Sequence, residues 1–116
     1  MTKQEIIEET VEYYKNNPFG YNLNTRKCVY RGPEGQMCAV GRCLVHPELY
    51  GNEDISAHSL LVHNTDNSLK EEYQGHQPEF WNRLQSFHDE CAKKYFRLED
   101  YKTHWALKEY YDRQEA

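Results

Sequence analysis

The sequence predicts an α+β fold in which an N-terminal helix, a small β-hairpin of two or three strands, and three or so further helices pack together. Apolar residues recur at three- and four-residue spacing near the N-terminus and again after residue 78, which is the period of an amphipathic helix. Between these segments, two short β-prone runs flank a turn rich in Gly and Pro. With 116 residues, the chain is expected to form a single domain over 1–116.

The first helix is predicted over about residues 3–16. Thr2 followed by Glu5 is a capping-box pattern, because the two side chains satisfy amides at the start of a helix. Asn17 precedes Pro18 and is therefore disfavoured in the helical region, which ends the helix. The apolar stripe consists of Ile6, Ile7, Val11, Tyr13 and Tyr14.

The hairpin is predicted over about residues 27–40. Its strands are the runs 28–30 and 37–40, and the turn between them carries Gly32, Pro33 and Gly35. Two strands alone are only marginally stable in water, so we expect the hairpin to pack on helices.

Two more helices and a short one complete the expected fold. Ser56 is predicted to cap the short helix, and residues 64–75 are predicted to form a loop anchored by Leu69 and Tyr73. A long helix over about 78–97 starts at Pro78, a favoured first-turn residue. Asp100 is predicted to cap a terminal helix containing Trp105. The stripe of the long helix consists of Phe80, Leu84, Phe87, Cys91 and Tyr95, with Trp81 and His88 at its edge.

Composition excludes several classes of protein. A net charge of −5, from 14 basic and 19 acidic side chains, argues against a general nucleic-acid binder. No apolar run is long enough for a membrane span, and the polar N-terminus does not resemble a signal peptide. We therefore expect a cytoplasmic protein whose four cysteines are thiols, metal ligands or core residues rather than disulfides.

Two groups of residues suggest metal chemistry. Cys28, Cys38, Cys43 and His46 carry zinc-binding groups that the hairpin would bring together, although buried cysteines are the alternative interpretation. No cofactor is therefore expected, and zinc at these four residues is the alternative. The adjacent pair His88-Asp89 is typical of metal-dependent phosphohydrolases, but a structural histidine bonded to a backbone carbonyl is the alternative. His63-Asn64 is a fainter indication of a metal-assisted nuclease.

A basic rim suggests a small-molecule ligand. Arg26, Lys27, Arg31 and Arg42 flank the predicted hairpin and would hold phosphates beside Tyr30 or Tyr50. Such a rim would make the protein a sponge for a nucleotide signal, with the ligand at an oligomer interface. A solvated rim with no ligand is the alternative.

Aromatic content suggests a binding face. The chain has ten Tyr and two Trp, and the C-terminal segment holds more aromatic rings than one helix face buries. This indicates a partner or self-association face that includes Trp105, unless the rings replace Leu in the core. The candidate binding residues are Tyr30, Arg31, Arg42, Tyr50, His88, Asp89 and Trp105.

Three segments resemble a family of small bacteriophage and bacterial proteins. They are Cys28-Val29-Tyr30, the stretch 38–44 with its Cys-Ala-x-Gly start, and the Phe87-His88-Asp89 triplet. The resemblance covers about residues 26–92, but His46 stands where relatives carry an apolar residue. No catalytic role follows from it. It implies a non-enzymatic host-takeover or anti-defence protein that binds and inhibits a host factor. The nucleotide sponge, a His-Asp hydrolase and an acidic DNA mimic using helix-one glutamates are alternatives.

Overall fold

A computed structural model describes residues 1–22, 27–28, 36–46 and 68–112. Helix α1 spans Lys3–Tyr14, and the predicted capping box is confirmed, since Glu5 N–H donates to Thr2 Oγ1 at 3.1 Å and Thr2 N–H donates to Glu5 Oε1 at 2.7 Å. Of its apolar stripe, Ile6, Ile7, Val11 and Tyr14 are buried and Tyr13 is half-buried. The helix ends two residues earlier than predicted.

The predicted α+β class is wrong, because the described part of the chain is helical. Apart from two isolated bridges, extended pairing there consists of two residues on each side, Tyr21–Asn22 (β1) antiparallel to Lys27–Cys28 (β2). Cys28 is paired with Tyr21 and not with the run 37–40. In that run, Met37 makes one isolated bridge with Phe19. The predicted hairpin over 27–40 and its small sheet are therefore not formed; residues 29–35 lie outside the description.

Residues 38–44 form a buried, irregular segment instead of a strand. After a turn at Ala39 and Val40, the chain enters a single 3₁₀ turn at Gly41–Cys43, and Leu44 bridges to Leu69. The amide of Val40 donates to the side-chain oxygen of Gln85 at 3.2 Å. A side chain therefore supplies the hydrogen bond that a neighbouring strand would have made, so an apolar run can be buried without a sheet.

Helix α2 spans Pro78–Ala92 and ends in a Schellman motif. Tyr95 N–H donates to the Glu90 carbonyl at 2.8 Å, and Lys94 N–H donates to the Cys91 carbonyl at 3.0 Å. Lys94 has the positive φ of 64° that this motif requires. The helix is thus shorter than the predicted 78–97. Tyr95, predicted for its buried stripe, leaves the helix and is exposed.

The C-terminal segment is not the continuous helix predicted from Asp100. A 3₁₀ segment covers Leu98–Thr103, His104 is extended, and the short helix α3 spans Glu109–Asp112. His104 Nδ1 accepts the amide of Ala106 at 3.1 Å. This bond lets the buried imidazole interrupt the helix and start the next turn. The predicted helix at Ser56 lies outside the described residues.

The core lies between α1, α2 and the segment 38–44. Leu69 and Tyr73, the predicted loop anchors, are both buried in it. Tyr73 is the last residue of a 3₁₀ turn at Glu71–Tyr73, which precedes α2 in the chain. Trp81 and His88, predicted at the edge of the α2 stripe, are fully buried. Within the described residues, no helix has the length and apolar character to cross a membrane.

We expect Lys94→Gly to stabilise the fold. A lysine in the left-handed region is disfavoured by contacts of its Cβ that glycine lacks. Removing Cβ should raise the free energy of unfolding by about 1 kcal/mol, measured by urea titration. Lys93 next to it has φ −79°, so the control Lys93→Gly should instead lower stability by about 1 kcal/mol. If Lys94→Gly and Lys93→Gly changed the free energy of unfolding equally, Lys94 would not be strained.

Candidate functional site

The imidazole of His88 is fully buried, and both of its nitrogens bond to the protein. Nε2 accepts the amide of Gly20 at 3.1 Å, so it carries no proton. Nδ1 lies 2.8 Å from Oδ1 of Asp89 and must therefore be the protonated nitrogen that donates to this carboxylate. His88 is thus a neutral imidazole in one defined tautomer, and its Nε2 lone pair is occupied by Gly20.

Gln85 extends this network along α2. Its Nε2 donates to Asp89 Oδ1 at 2.8 Å, and its Oε1 accepts the amide of Val40. Two side chains of α2 therefore bond the backbone of two separate segments: His88 bonds Gly20 and Gln85 bonds Val40, and Asp89 bonds both side chains. The His88 and Asp89 side chains bond to each other, and the remaining ring nitrogen of His88 bonds to the Gly20 amide. This is the structural-histidine alternative, with a backbone amide in place of the expected carbonyl.

The cysteine cluster is only partly described. Cys38 and Cys43 are buried, His46 is exposed, and the side chain of Cys28 lies outside the description. Gly41 N–H donates to Cys38 Sγ at 3.4 Å, and burial raises the pKa of the Cys43 thiol to about 12. Among the described residues, no three His, Cys, Asp or Glu side chains are grouped to hold a metal ion. Zinc binding at this cluster stays a prediction.

Arg42, predicted to hold a phosphate, is buried and bonded internally. Its guanidinium donates to Glu9 at 2.7 Å, Thr10 Oγ1 at 3.0 Å and Tyr73 Oη at 3.1 Å. Although burial opposes it, hydrogen bonds from Tyr73 and Arg42 lower the pKa of the Glu9 carboxyl. This cluster joins α1 to the 3₁₀ turns and leaves little of Arg42 for a ligand. Tyr30, Arg31, Tyr50 and Arg26 lie outside the described residues, as does the side chain of Lys27.

Two exposed aromatic residues lie near the C-terminal end of α2. Trp105 is 60% exposed and Tyr95 is 76% exposed. Glu90 connects them: its carboxylate accepts the Trp105 indole N–H at 2.8 Å, and its carbonyl accepts the Tyr95 amide. Lys94 lies between Glu90 and Tyr95 in the chain and is also exposed. We call Lys94, Tyr95 and Trp105 the Trp105 surface.

The buried imidazole of His104 packs beneath the Trp105 surface. His104 is fully buried, with its ring 4.7 Å from that of Phe96 and 5.4 Å from the Trp105 ring. Its Nε2 lies 3.3 Å from Oε1 of Glu90. Burial lowers the pKa of His104 below its ordinary 6.5, although the Glu90 carboxylate acts in the opposite direction. His104 is therefore held neutral next to the residue that fixes Trp105.

We expect acid to destabilise the fold through His104. The unfolded chain takes up a proton at this imidazole near pH 6.5, whereas the folded chain does so only at lower pH. Stability should thus be full above 6.5, fall as pH drops below it, and level off below the folded-state pKa. His104→Asn keeps an acceptor for Ala106 but cannot titrate. Urea titrations at several pH values give the free energy of unfolding as a function of pH. This free energy should depend less on pH in His104→Asn than in the unmodified protein, and equal pH dependence would contradict the role given to His104.

Sequence reasoning singled out Trp105 from the aromatic surplus, but it placed Tyr95 in the buried stripe of α2 and missed Glu90, Lys94 and Gly20. Nothing in the sequence marks Lys94, since the motif it occupies usually carries glycine. Comparisons with protein-family models, curated proteins and solved structures found no match.

Proposed function

We propose that this is a non-enzymatic accessory protein that binds and inhibits a protein of a bacterial host through the Trp105 surface. One observation carries the proposal: the Trp105 indole is 60% exposed yet fixed by a hydrogen bond to Glu90. Tryptophan is enriched at the energetic centres of interfaces. An aromatic ring held in place before binding loses little conformational freedom when a partner arrives. The resemblance to bacteriophage proteins, which stays a prediction, supports the host as the source of the partner.

The state of the reactive side chains also supports binding over catalysis. In the described part of the chain, His88 has both ring nitrogens bonded internally, Arg42 is surrounded by Glu9, Thr10 and Tyr73, and the Cys43 thiol is buried. These groups maintain the fold. By contrast, the aromatic side chains of the Trp105 surface, Tyr95 and Trp105, are exposed to solvent.

The test compares three proteins as bait in a bacterial lysate: the unmodified chain, Trp105→Ala and Val45→Ala. Val45 is also exposed, at 47%, and controls for the loss of an exposed apolar side chain. Each retained protein is identified by mass spectrometry, purified and titrated against the three baits. We expect a partner that Trp105→Ala binds about 30-fold more weakly, the effect of a hot-spot residue, and that Val45→Ala binds normally.

The inhibitory part has its own readout. The activity of the identified partner should fall when the unmodified protein is added and should be unaffected by Trp105→Ala at the same concentration. If no protein depends on Trp105 for capture, the binding proposal is wrong. If the partner binds but keeps its activity, the proposed inhibition is wrong and the proposed binding is still supported.

A further inference from the structure

Lys94 is strained in a position where another residue would fit better. It has φ 64°, and it lies at the residue of the Schellman motif that favours glycine. Positive charge at the end of a helix is favourable, but Lys93 already provides it one residue earlier at an unstrained φ of −79°. Neither the motif nor the helix end therefore requires a lysine side chain at position 94. Strained residues of this kind occur at binding sites.

The ammonium group of Lys94 is available for a partner. The residue is exposed and forms no side-chain hydrogen bond or ion pair with the described part of the chain. Next to it, the Lys93 ammonium lies 5.3 Å from the ring centre of Tyr21 and 6.0 Å from that of Tyr95. The Lys93 ammonium thus lies beside the exposed Tyr95 ring, and the exposed Lys94 adds a second positive charge next to Tyr95 in the chain, in a protein whose net charge is −5.

We propose that the Trp105 surface recognises an acidic segment of a partner protein that also carries an aromatic side chain. Carboxylates of the segment pair with Lys94 and Lys93, and its aromatic ring packs against Tyr95 and Trp105. This inference rests on the proposed function and names the chemistry of its partner. A nucleic acid fits less well, because its dense negative charge would be repelled by the 19 acidic side chains of this protein.

The probe is a random copolymer of glutamate and tyrosine, titrated against the intact protein while tryptophan fluorescence is followed. Trp81 is fully buried, so the change reports on Trp105. Lys94→Gly should bind at least about fivefold more weakly, as expected for the loss of one charged contact, and Lys94→Arg should bind like the unmodified chain. Added salt should weaken binding.

The control removes a lysine of α1 that lies near the opposite end of α2. Lys3 lines a cleft of about 400 Å³ with Gln77 and Phe80, at the start of this helix. The 15 residues of α2 place that cleft about 20 Å from the Trp105 surface. Lys3→Ala removes the same charge and should leave copolymer affinity unchanged.

Lys94→Gly separates function from stability, because the substitution is expected to stabilise the fold while weakening binding. Unchanged affinity of Lys94→Gly, no copolymer binding by the unmodified chain, or equal Lys94-dependent binding of single-stranded DNA would each overturn the inference. A lysate partner that depends on Trp105 but not on Lys94 would also overturn it, while the proposed function stands. Copolymer binding without any Trp105-dependent lysate partner would leave the acidic chemistry supported and the proposed function wrong.

Discussion

Gly20→Ala should be the most damaging single-methyl change in the described part of this protein. A Cβ at this position would overlap the backbone nitrogen of Cys38 and the carbonyl carbon of Met37, and would lie 2.7 Å from the Met37 oxygen. These are main-chain atoms, so no side-chain rotation relieves the overlap. We expect the free energy of unfolding to fall by about 3 kcal/mol, the upper part of the range for overpacked sites. Urea titration followed by circular dichroism measures it.

Gly75 provides the matched control for this substitution. It has φ 96°, and a Cβ there would have no neighbour within 4 Å. Gly75→Ala therefore tests backbone conformation alone and should cost about 1 kcal/mol. The steric argument requires Gly20→Ala to be clearly the worse of the two. Equal losses would mean that residues 37 and 38 move aside easily and that the close approach is unimportant.

His88→Ala should be similarly destabilising, because His88 supports two segments at once. The substitution removes a ring that packs against Phe19 and Tyr14, at centroid distances of 5.4 and 5.1 Å. It also leaves the buried amide of Gly20 without its acceptor. A cavity of this size and an unpaired amide together should cost about 3–4 kcal/mol, measured by thermal or urea unfolding.

This result separates a structural from a catalytic histidine. A side chain kept for catalysis is often removable without loss of stability, whereas one that holds the fold is not. Lys108 is exposed, and Lys108→Ala is the control, expected to change stability by less than about 0.5 kcal/mol. If His88→Ala unfolded at the same urea concentration as the unmodified protein, the structural role would be wrong and the hydrolase hypothesis would regain support.

The helices could be predicted from the sequence because their causes are local. Thr2 and Glu5 cap α1 from within the first turn, and Pro78 starts α2 where the apolar period begins. The end of α2 could not be predicted. Its stripe continues to Tyr95, and the stop depends on the backbone of Lys94 adopting a conformation that lysine does not favour.

The hairpin prediction failed for a long-range reason. A run such as 37–40 needs partners for its buried amides, and a second strand is the usual source. Here the partner of Val40 is Gln85, 45 residues later in the chain. A glutamine on a helix gives no sign in the sequence of which backbone it will bond. The sequence likewise gives no sign that His88 will bond the amide of Gly20. Of the residues discussed as a candidate site, only the aromatic Trp105 was therefore predicted to lie on an exposed binding face.

The bonded side chains on one face of α2, Gln85, His88 and Asp89, also affect local unfolding of the chain. Gly20 and Val40 lie outside regular helices and strands, where amide hydrogens usually exchange with solvent through small local motions. Their amides are instead bonded to His88 and Gln85 and buried against the helix. Exposing either amide requires α2 to release it. Both hydrogens should therefore exchange with deuterium as slowly as those in the middle of α2, making two irregular segments and a helix one cooperative unit.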